Sequence, residues 1–413
     1  LEKLKEMKEV RRAEYAGSLR RIKETIGDIY ILATSSQPAK VIQHFSSLPD
    51  VKRILAQGPT KATVILKDGL QVDLRVLKDE EYGAALQYFT GNKEHNIKVR
   101  EIAIRKGLKL SEYGLFKRTG QGAQSRGQWK RIAARTEEEI YKKLGLRIMP
   151  PELRENAGEI EAARKGKIPN LVELKDIKGD LHVHSKYSDG NDTIERMAEE
   201  ASKRGYEYIS ITDHSKSQVI ARGLNESALK RQWKEIDTLN KKQKKIHILK
   251  GTECDILADG SLDYPEKILR NFDLVVASVH SGFKSSERQM TESICKALQN
   301  KYVTILGHPT GRLINRRPPY EVDLEQVFQA AREKKKILEI DSFPDRLDLK
   351  DTHIRTAKKA GCKLSIDTDS HSFRHLEFMF YGVAQARRGW LEKKDVVNTL
   401  SLKELLRFLR KDF

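Results

Sequence analysis

Nine histidine, aspartate and glutamate residues in the second half of this 413-residue chain have the types and spacing of a metal-ligand set. His182 and His184 lie two apart in Gly-Asp-Leu-His-Val-His. Side chains at i and i+2 of a strand face the same way, so both imidazoles can reach one point. Asp369 and His371 repeat that spacing in Asp-Thr-Asp-Ser-His. Asp189 occupies a Ser-Asp-Gly turn, and His214, Glu253, His280 and His308 each close a short apolar run. Six of the 11 histidines belong to this set. Imidazole and carboxylate suit Zn, Mn and Fe. Nine ligands are too many for one ion; three clustered ions, with Glu253 as a bridging carboxylate, would use them. Such ions lower the pKa of water to about 7 and steady the oxygens of a phosphoester. A lone histidine at a strand end is more often structural. Ligand types at several independent strand ends point instead to a hydrolytic centre.

The elements that must position these residues follow from the pattern around them. Seven apolar runs, the first at 179–184 and the last at 364–371, each end on His, Asp or Glu. A barrel of parallel strands collects its strand ends at one rim, where enzymes on such barrels place their chemistry. Asp341 ends the sixth run, and a structural role and a ligand role are equally open for it. Helical apolar spacing over 193–205, 226–243, 286–299, 323–336, 352–360 and 380–388 predicts helices between the runs. The runs are short and β-branched, as parallel strands covered by helices should be. Residues 1–83 read as mixed α/β, with strands over 27–34 and 62–77, a turn at Lys67-Asp68-Gly69, and a helix over 37–47. Residues 84–148 read as helical and loop-rich. Met149-Pro150-Pro151 breaks any helix, and 149–178 reads as a linker.

Charge narrows the function. The chain carries 78 Lys+Arg against 59 Asp+Glu, a net +19. Residues 93–167 alone hold 19 Lys+Arg and 10 Asp+Glu, so +9. A balance this basic suggests a polyanionic partner; the bland alternative is a solvated basic surface. Cys254, Cys295 and Cys362 are too dispersed for a disulfide framework, which suits a reducing compartment. No apolar run approaches the length of a membrane span and no signal peptide opens the chain. The first residue, Leu1, suggests a piece of a longer protein.

The runs Asp-Leu-His-Val-His-Ser, Ile-Thr-Asp-His-Ser, Gly-Thr-Glu-Cys-Asp-Ile, Ser-Val-His-Ser, Gly-His-Pro-Thr-Gly-Arg and Asp-Thr-Asp-Ser-His resemble the motifs of the polymerase and histidinol phosphatase (PHP) superfamily. That resemblance implies a distorted (β/α)7 barrel with a trinuclear centre that hydrolyses phosphoesters. It also implies Mn or Zn, or Fe, as the metal, up to three ions. Asp213, beside His214, is a candidate to orient a ligand imidazole. Arg312 is a candidate phosphate clamp, because guanidinium binds phosphate bidentately. Lys216 and Arg222 are weaker candidates for the same role. In the first half, Gly17-Ser18, Gly27-Asp28-Ile29-Tyr30 and Val72-Asp73-Leu74-Arg75 resemble the palm of X-family DNA polymerases. Tyr88-Phe89-Thr90-Gly91 and His95-Asn96 resemble its thumb. There the Gly-Ser pair binds a triphosphate and three carboxylates hold Mg. Asp28 and Asp73 match two of the three; Tyr30 stands where the third belongs. Tyrosine cannot offer Mg a carboxylate oxygen at neutral pH. The lyase and fingers regions expected ahead of the palm are absent from this sequence.

The expectation is an α/β chain with a polymerase-X-like palm and helical thumb, then a PHP barrel. It would process DNA 3′ ends, gaps or abasic sites, chiefly as a 3′-5′ exonuclease. It would be a monomer of the prokaryotic cytoplasm, associated with the nucleoid and not with membranes. Gly17, Ser18, Tyr88, Phe89, Gly91 and Asn96 would contact nucleotide or DNA. One rival is a small-molecule phosphatase of the histidinol-phosphate kind, which would not need the basic first half. Another is a DNA-binding scaffold with structural metals, but such sites are usually closed four-ligand Cys/His sets.

Overall fold

The computed structural model describes residues 1–119 and 128–410. The chain forms two compact units, Leu1–Ile168 and Pro169–Phe413.

The first unit opens with five strands: β1 (Val10–Ala16), β2 (Asp28–Ser35), β3 (Val51–Gln57), β4 (Lys61–Leu66) and β5 (Gln71–Leu77). They form one sheet in the order β1-β2-β5-β4-β3. The β2–β5 pair is parallel and the others antiparallel. The predicted helix appears as Pro38–Ser46, with its proline in the first turn, where the missing N–H costs nothing. It buries Val41, Ile42 and Phe45 against Ile31, Val64, Val72 and Leu74.

Helices Tyr82–Thr90 and Lys93–Arg105 follow, then strands β6 (Leu108–Ser111), β7 (Gly114–Thr119) and β8 (Gln128–Ala133), and helix Glu137–Leu144. The reading of 84–148 as helices and loops therefore missed a three-stranded antiparallel sheet. Lys109, Lys117, Arg118, Lys130 and Arg131 crowd its exposed positions, so few apolar residues were left to show a period of two. The linker reading also needs correction. Met149, Ile160 and Ala163 are buried with Val99, Ile140 and Leu144, so residues 149–168 are core material of the first unit. Two prolines end a helix there without ending the domain.

The second unit holds seven strands: β9 (Gly179–Val183), β10 (Tyr208–Ile211), β11 (His247–Asp255), β12 (Leu274–Ser278), β13 (Ile305–Leu306), β14 (Ile337–Asp341) and β15 (Lys363–Asp367). Neighbours in sequence are neighbours in the sheet and every pair is parallel. All six predicted helices appear, among them Ile194–Lys203, Glu226–Lys242 and Glu287–Leu298. The seam between β15 and β9 closes largely through side chains. Asp367 Oδ1 accepts the Leu181 N–H at 2.8 Å, and Asp180 Oδ1 accepts that of Thr368 at 3.2 Å. Asn398 substitutes for a ladder partner, accepting from Ile366 N–H at 2.7 Å and donating to the carbonyls of Gly179 and Ile366.

The barrel interior changes character along its axis. One end is apolar, lined by Leu249, Leu274, Ile305 and Ile337 and plugged by Leu405 and Leu409 of the last helix, Leu402–Arg410. Toward the carboxyl ends of the strands the lining turns polar. Space there is tight: a Cβ on Gly307 would come 2.3 Å from Ser278 Oγ, and one on Gly251 2.3 Å from Ser210 Oγ.

Candidate metal centre

The nine predicted ligands converge at the carboxyl end of the barrel, as a parallel barrel requires. Glu253, on β11, is the hub. Its Oε2 lies 2.9 Å from His214 Nδ1, 3.4 Å from His182 Nε2 and 3.5 Å from His184 Nε2. Its Oε1 lies 2.8 Å from His308 Nε2 and 3.1 Å from His280 Nε2. Asp369 Oδ1 stands 3.0 Å from His184 Nε2, and Asp189 Oδ2 3.3 Å from His371 Nε2. Three overlapping groups each bring ligand atoms within 4.8 Å of one another. They are His182, His184, Glu253 and Asp369; His184, Asp189, His214 and His371; and His214, Glu253 and His280. His308 joins them through Glu253.

The donor atoms fit cations. His182 Nε2, both ring nitrogens of His184, His214 Nδ1, His308 Nδ1 and Asp369 Oδ1 are buried without a hydrogen-bond partner. Buried polar atoms are normally satisfied, so the orphaned nitrogens of His182, His184 and His214 and the orphaned Asp369 oxygen, all on residues of these groups, are what a candidate cation site presents. His308 and Asp369 also hold positive φ, +24° and +48°. Backbone strain of that kind gathers at functional sites.

Electrostatics agree. Burial opposes charge on Glu253, but His280, His214 and His182 hold its carboxyl well below the usual range. Burial likewise opposes charge on Asp189, and hydrogen bonds from His214 and His371 outweigh it. Burial and the neighbouring His371 and His214 push His184 down to about 3. Burial and Arg346 push His308 down to about 4. These two rings are therefore neutral, with the free lone pairs that a metal needs. Burial works against charge on His182 and His214 too. Glu339, Glu253 and Asp369 lift His182 well above its ordinary value, and Glu253 with Asp189 lifts His214 to about 10.

Outer partners orient the rings. Glu339 Oε1 meets His182 Nδ1 at 2.7 Å, and Asp255 Oδ1 meets His280 Nδ1 at 2.8 Å. Carboxylates behind ligand histidines fix the tautomer and raise basicity. Neither Glu339 nor Asp255 was singled out in the sequence, although both lie on strands that lead into the site. Asp213, which was, does something else. Its carboxylate accepts from Ser185 N–H at 2.8 Å, Ser185 Oγ at 2.5 Å, Ser188 Oγ and Gln232 Nε2 at 2.6 Å. It pins the turn that carries Asp189 and makes no hydrogen bond to His214.

Arg312 is also spent differently. Its guanidinium donates to the carbonyls of Arg346, at 2.9 Å, and Leu347. It braces the loop after β14, and the guanidinium that faces the ligands is Arg346. Arg346 Nε lies 3.3 Å from Asp341 Oδ2 and 3.5 Å from Asp369 Oδ2. Asp341 is thus buried beside Arg346, where burial and the charges of Asp369 and Glu339 raise its pKa well above the usual carboxylate range, and it belongs to none of the three ligand groups. Sequence reasoning missed Arg346, since Phe343-Pro344-Asp345-Arg346 has no ligand spacing.

In the first unit, Tyr30 stands opposite Asp73 in the β2–β5 register, and Asp28 lies two residues away on the same face. The sheet does bring the palm positions together. Burial and the charges of Asp73 and Asp28 raise the Tyr30 pKa, so the phenol stays neutral. Asp73 is engaged by Thr63 Oγ1 at 2.6 Å and Gln71 Nε2 at 2.8 Å. Among the described residues, the metal-competent groups all lie in the second unit. Gly17 needs its lack of a side chain, with φ +64° and Tyr30 Cδ2 3.2 Å from where a Cβ would sit; Ser18 follows it in the short helix Gly17–Arg20. Phe89 stacks on Tyr30 with centroids 6.1 Å apart, and Tyr88 meets Phe89 edge-on. Asn96 donates to the carbonyls of Tyr88, at 2.6 Å, and Gly91, at 3.1 Å, so it shapes that turn. Lys216 and Arg222 are exposed on the loop after His214.

A seven-stranded barrel with this candidate ligand set, following a basic mixed α/β unit in sequence, defines a class that the family profiles also recognise. The DNA polymerase beta thumb profile matches residues 85–155, and the PHP domain profile matches residues 180–342. The chain belongs to the family of the DNA polymerase/3′-5′ exonuclease PolX of Bacillus subtilis (strain 168). The two are 44% identical over 400 residues, 96% of this chain and 68% of that protein. The chain is also similar to a probable phosphatase of Thermoanaerobacter sp. (strain X514), 34% identical over 206 residues, 46% of this chain and 78% of the relative. A probable phosphatase of Acetivibrio thermocellus is 32% identical over 201 residues, with 46% and 78% covered. No described helix is long and apolar enough to cross a membrane.

Proposed function

We propose that this chain is a metal-dependent phosphodiesterase that removes nucleotides from DNA 3′ ends, a 3′-5′ exonuclease. The observation that carries it is a set of three overlapping cation-competent groups, two of which share Glu253. The relative in Bacillus subtilis is named for a 3′-5′ exonuclease, and all nine candidate ligand positions of this chain carry His, Asp or Glu. His182, His184, Glu253 and Asp369 would hold one ion, Asp189, His214 and His371 a second, and Glu253, His280 and His308 a third. The imidazole–carboxylate mixture suits Mn, Zn or Fe. Divalent cations held there supply Lewis acidity, which polarises a phosphoester and makes water acidic enough to attack near neutral pH. Glu253 keeps its charge and belongs to two of the three groups. Glu339 and Asp255 hold His182 and His280 in the tautomer that leaves Nε2 free. Arg346 offers a half-buried guanidinium to a phosphate oxygen.

The first unit supports DNA as the substrate. Lys117 faces Lys130 directly across β7 and β8, and Arg118 faces Trp129. Like charges directly opposite are destabilising unless something compensates, and a phosphate backbone would. A small-molecule phosphatase has no use for such a surface. Templated synthesis is not part of this proposal, because Tyr30 replaces one carboxylate and Asp73 is already engaged. We place the palm at 1–83 and the thumb from 84, with Mg in the palm only if Asp28 and Asp73 suffice. Gaps and abasic sites are further candidate substrates, and a cytoplasmic, nucleoid-associated monomer is the matching setting.

The test is digestion of 5′-labelled DNA with Mn present. A ladder shortening from the 3′ end is expected, with EDTA abolishing it. His182→Ala, Glu253→Ala and His371→Ala should each remove activity. Digestion by all three at the wild-type rate would overturn the site.

A further inference from the structure

Strand β10 leads through His214 into a loop that returns at Leu224, whose N–H meets the His214 carbonyl at 2.8 Å. Ser215 and Leu224 bridge at the neck. The neck is tight, since a Cβ on Gly223 would come 1.9 Å from the Ser215 carbonyl oxygen. Between them runs Lys216-Ser217-Gln218-Val219-Ile220-Ala221-Arg222, with two cations and no acid. At its tip Val219 is 80% and Ile220 100% exposed. Adjacent β-branched apolar residues left in water forgo the transfer energy that burial would return.

The tip does not fold under, because the foot of the loop is fastened. Ser217 N–H donates to Asp263 Oδ2 at 2.8 Å. Ser217 Oγ and Gln218 Nε2 donate to Asp255 Oδ2 at 2.8 and 2.6 Å. Asp255 is the carboxylate behind His280. The loop is therefore tied to the candidate metal centre twice, through His214 and through Asp255. Among the described residues neither Lys216 nor Arg222 is paired with a carboxylate.

An occupant of this loop must be anionic, must expose apolar faces, and must reach the metal ligands from there. Single-stranded nucleic acid meets all three demands, since its bases are free to leave the stack and its phosphates follow one another. A duplex buries its base faces. We propose that the 215–224 loop receives the unpaired 3′-terminal nucleotides of single-stranded DNA. A base packs on Val219 and Ile220, and the flanking phosphates lie against Lys216 and Arg222. This inference rests on the exonuclease reading above and adds a subsite to it.

The test uses the full chain and the double variant Val219→Ser/Ile220→Ser. Both side chains lie in solvent, so the fold tolerates the change. Three substrates are compared with Mn present: a single-stranded oligonucleotide, a blunt duplex and bis(p-nitrophenyl) phosphate. kcat/KM for the single strand should fall about tenfold relative to the small diester, as expected when one base face loses its apolar partner. The preference for single strand over blunt duplex should shrink with it. In EDTA, a 3′-terminal 2-aminopurine should change fluorescence on binding the wild type and not the variant. Equal changes on DNA and the small diester, or none on either, would overturn the loop assignment while leaving the exonuclease reading standing. A wild-type protein that turns over the small diester and leaves DNA intact would overturn both.

Discussion

Replacing Glu137 by Gln should loosen the first unit by an amount that can be worked out. The Glu137 carboxylate takes Nη1 and Nη2 of Arg20 at 2.9 and 2.8 Å, and Nη1 of Arg154. Arg154 is itself 1% exposed and donates from Nε to the Met149 carbonyl at 2.9 Å. One carboxylate therefore joins the short helix Gly17–Arg20, the helix Glu137–Leu144 and the proline-marked segment that follows it. Burial alone would raise the Glu137 pKa. The charge of Arg154 and the hydrogen bonds of Arg20 outweigh it and hold the group at about 2, against 4.5. A difference of about 2.5 units at about 1.36 kcal/mol each is roughly 3 kcal/mol. The folded pKa is the lower one, so this stabilisation is complete above about pH 4.5 and is lost as pH falls from there toward 2. The amide lacks it at every pH and leaves two guanidinium groups without a counter-charge, a change that costs about 3–5 kcal/mol where pairs are buried. Hydrogen exchange on the intact chain reads this locally. At pH 7, peptides covering 137–155 should exchange about 100-fold faster in the variant, while those of 179–255 stay at the wild-type rate. The gap between the two proteins should close as pH drops below about 4.5. Unchanged protection at pH 7, or a gap that persists at pH 3, would refute the assignment of stability to this carboxylate.

Other consequences follow from the same structure. Arg346→Met should lower kcat on DNA and on a small phosphodiester alike by about 10²–10³, the usual cost of removing one preorganised donor. Arg312→Met, which only loosens the loop, should cost clearly less, and the reverse ranking would restore Arg312 as the clamp. Lys117→Glu/Lys130→Glu should weaken single-strand binding and flatten its log–log salt dependence by about 1.4, at about 0.7 for each phosphate no longer neutralised; an unaltered slope in a salt titration would assign these lysines to solvent. Gly307→Ala forces a methyl group to within 2.3 Å of Ser278 Oγ. It should destabilise the barrel by about 1–3 kcal/mol in thermal unfolding and lower bound metal, and a fully stable, fully loaded variant would contradict the packing described. Tyr30→Asp alone should not confer templated nucleotide addition, because Asp73 remains bonded to Thr63 and Gln71; robust primer extension would show the palm to be more complete than this.

The sequence by itself determined the barrel and grouped its candidate metal ligands, for one physical reason. In a parallel barrel every strand runs toward the same rim, so a ligand that ends its apolar run is placed at that rim by topology alone. His182, Glu253, His308 and Asp369 needed no knowledge of side-chain direction to be grouped, and the helices between them followed from periodicity. Tertiary structure decided whatever depends on where a long or branched polar side chain turns. Asp213 sits next to a ligand in sequence, yet its carboxylate faces the turn at Ser185 and Ser188. Arg312 lies in a motif and braces backbone; Arg346 lies in none and reaches Asp369, because Arg312 and Asp341 hold its loop there. Residues 149–168 show the same limit at the scale of a domain. Two prolines mark the end of a helix, but whether the chain then leaves the core or returns to it is settled by Met149, Ile160 and Ala163 finding partners around Val99 and Leu144. Spacing along the chain cannot report that, since such packing forms between residues that sequence keeps far apart.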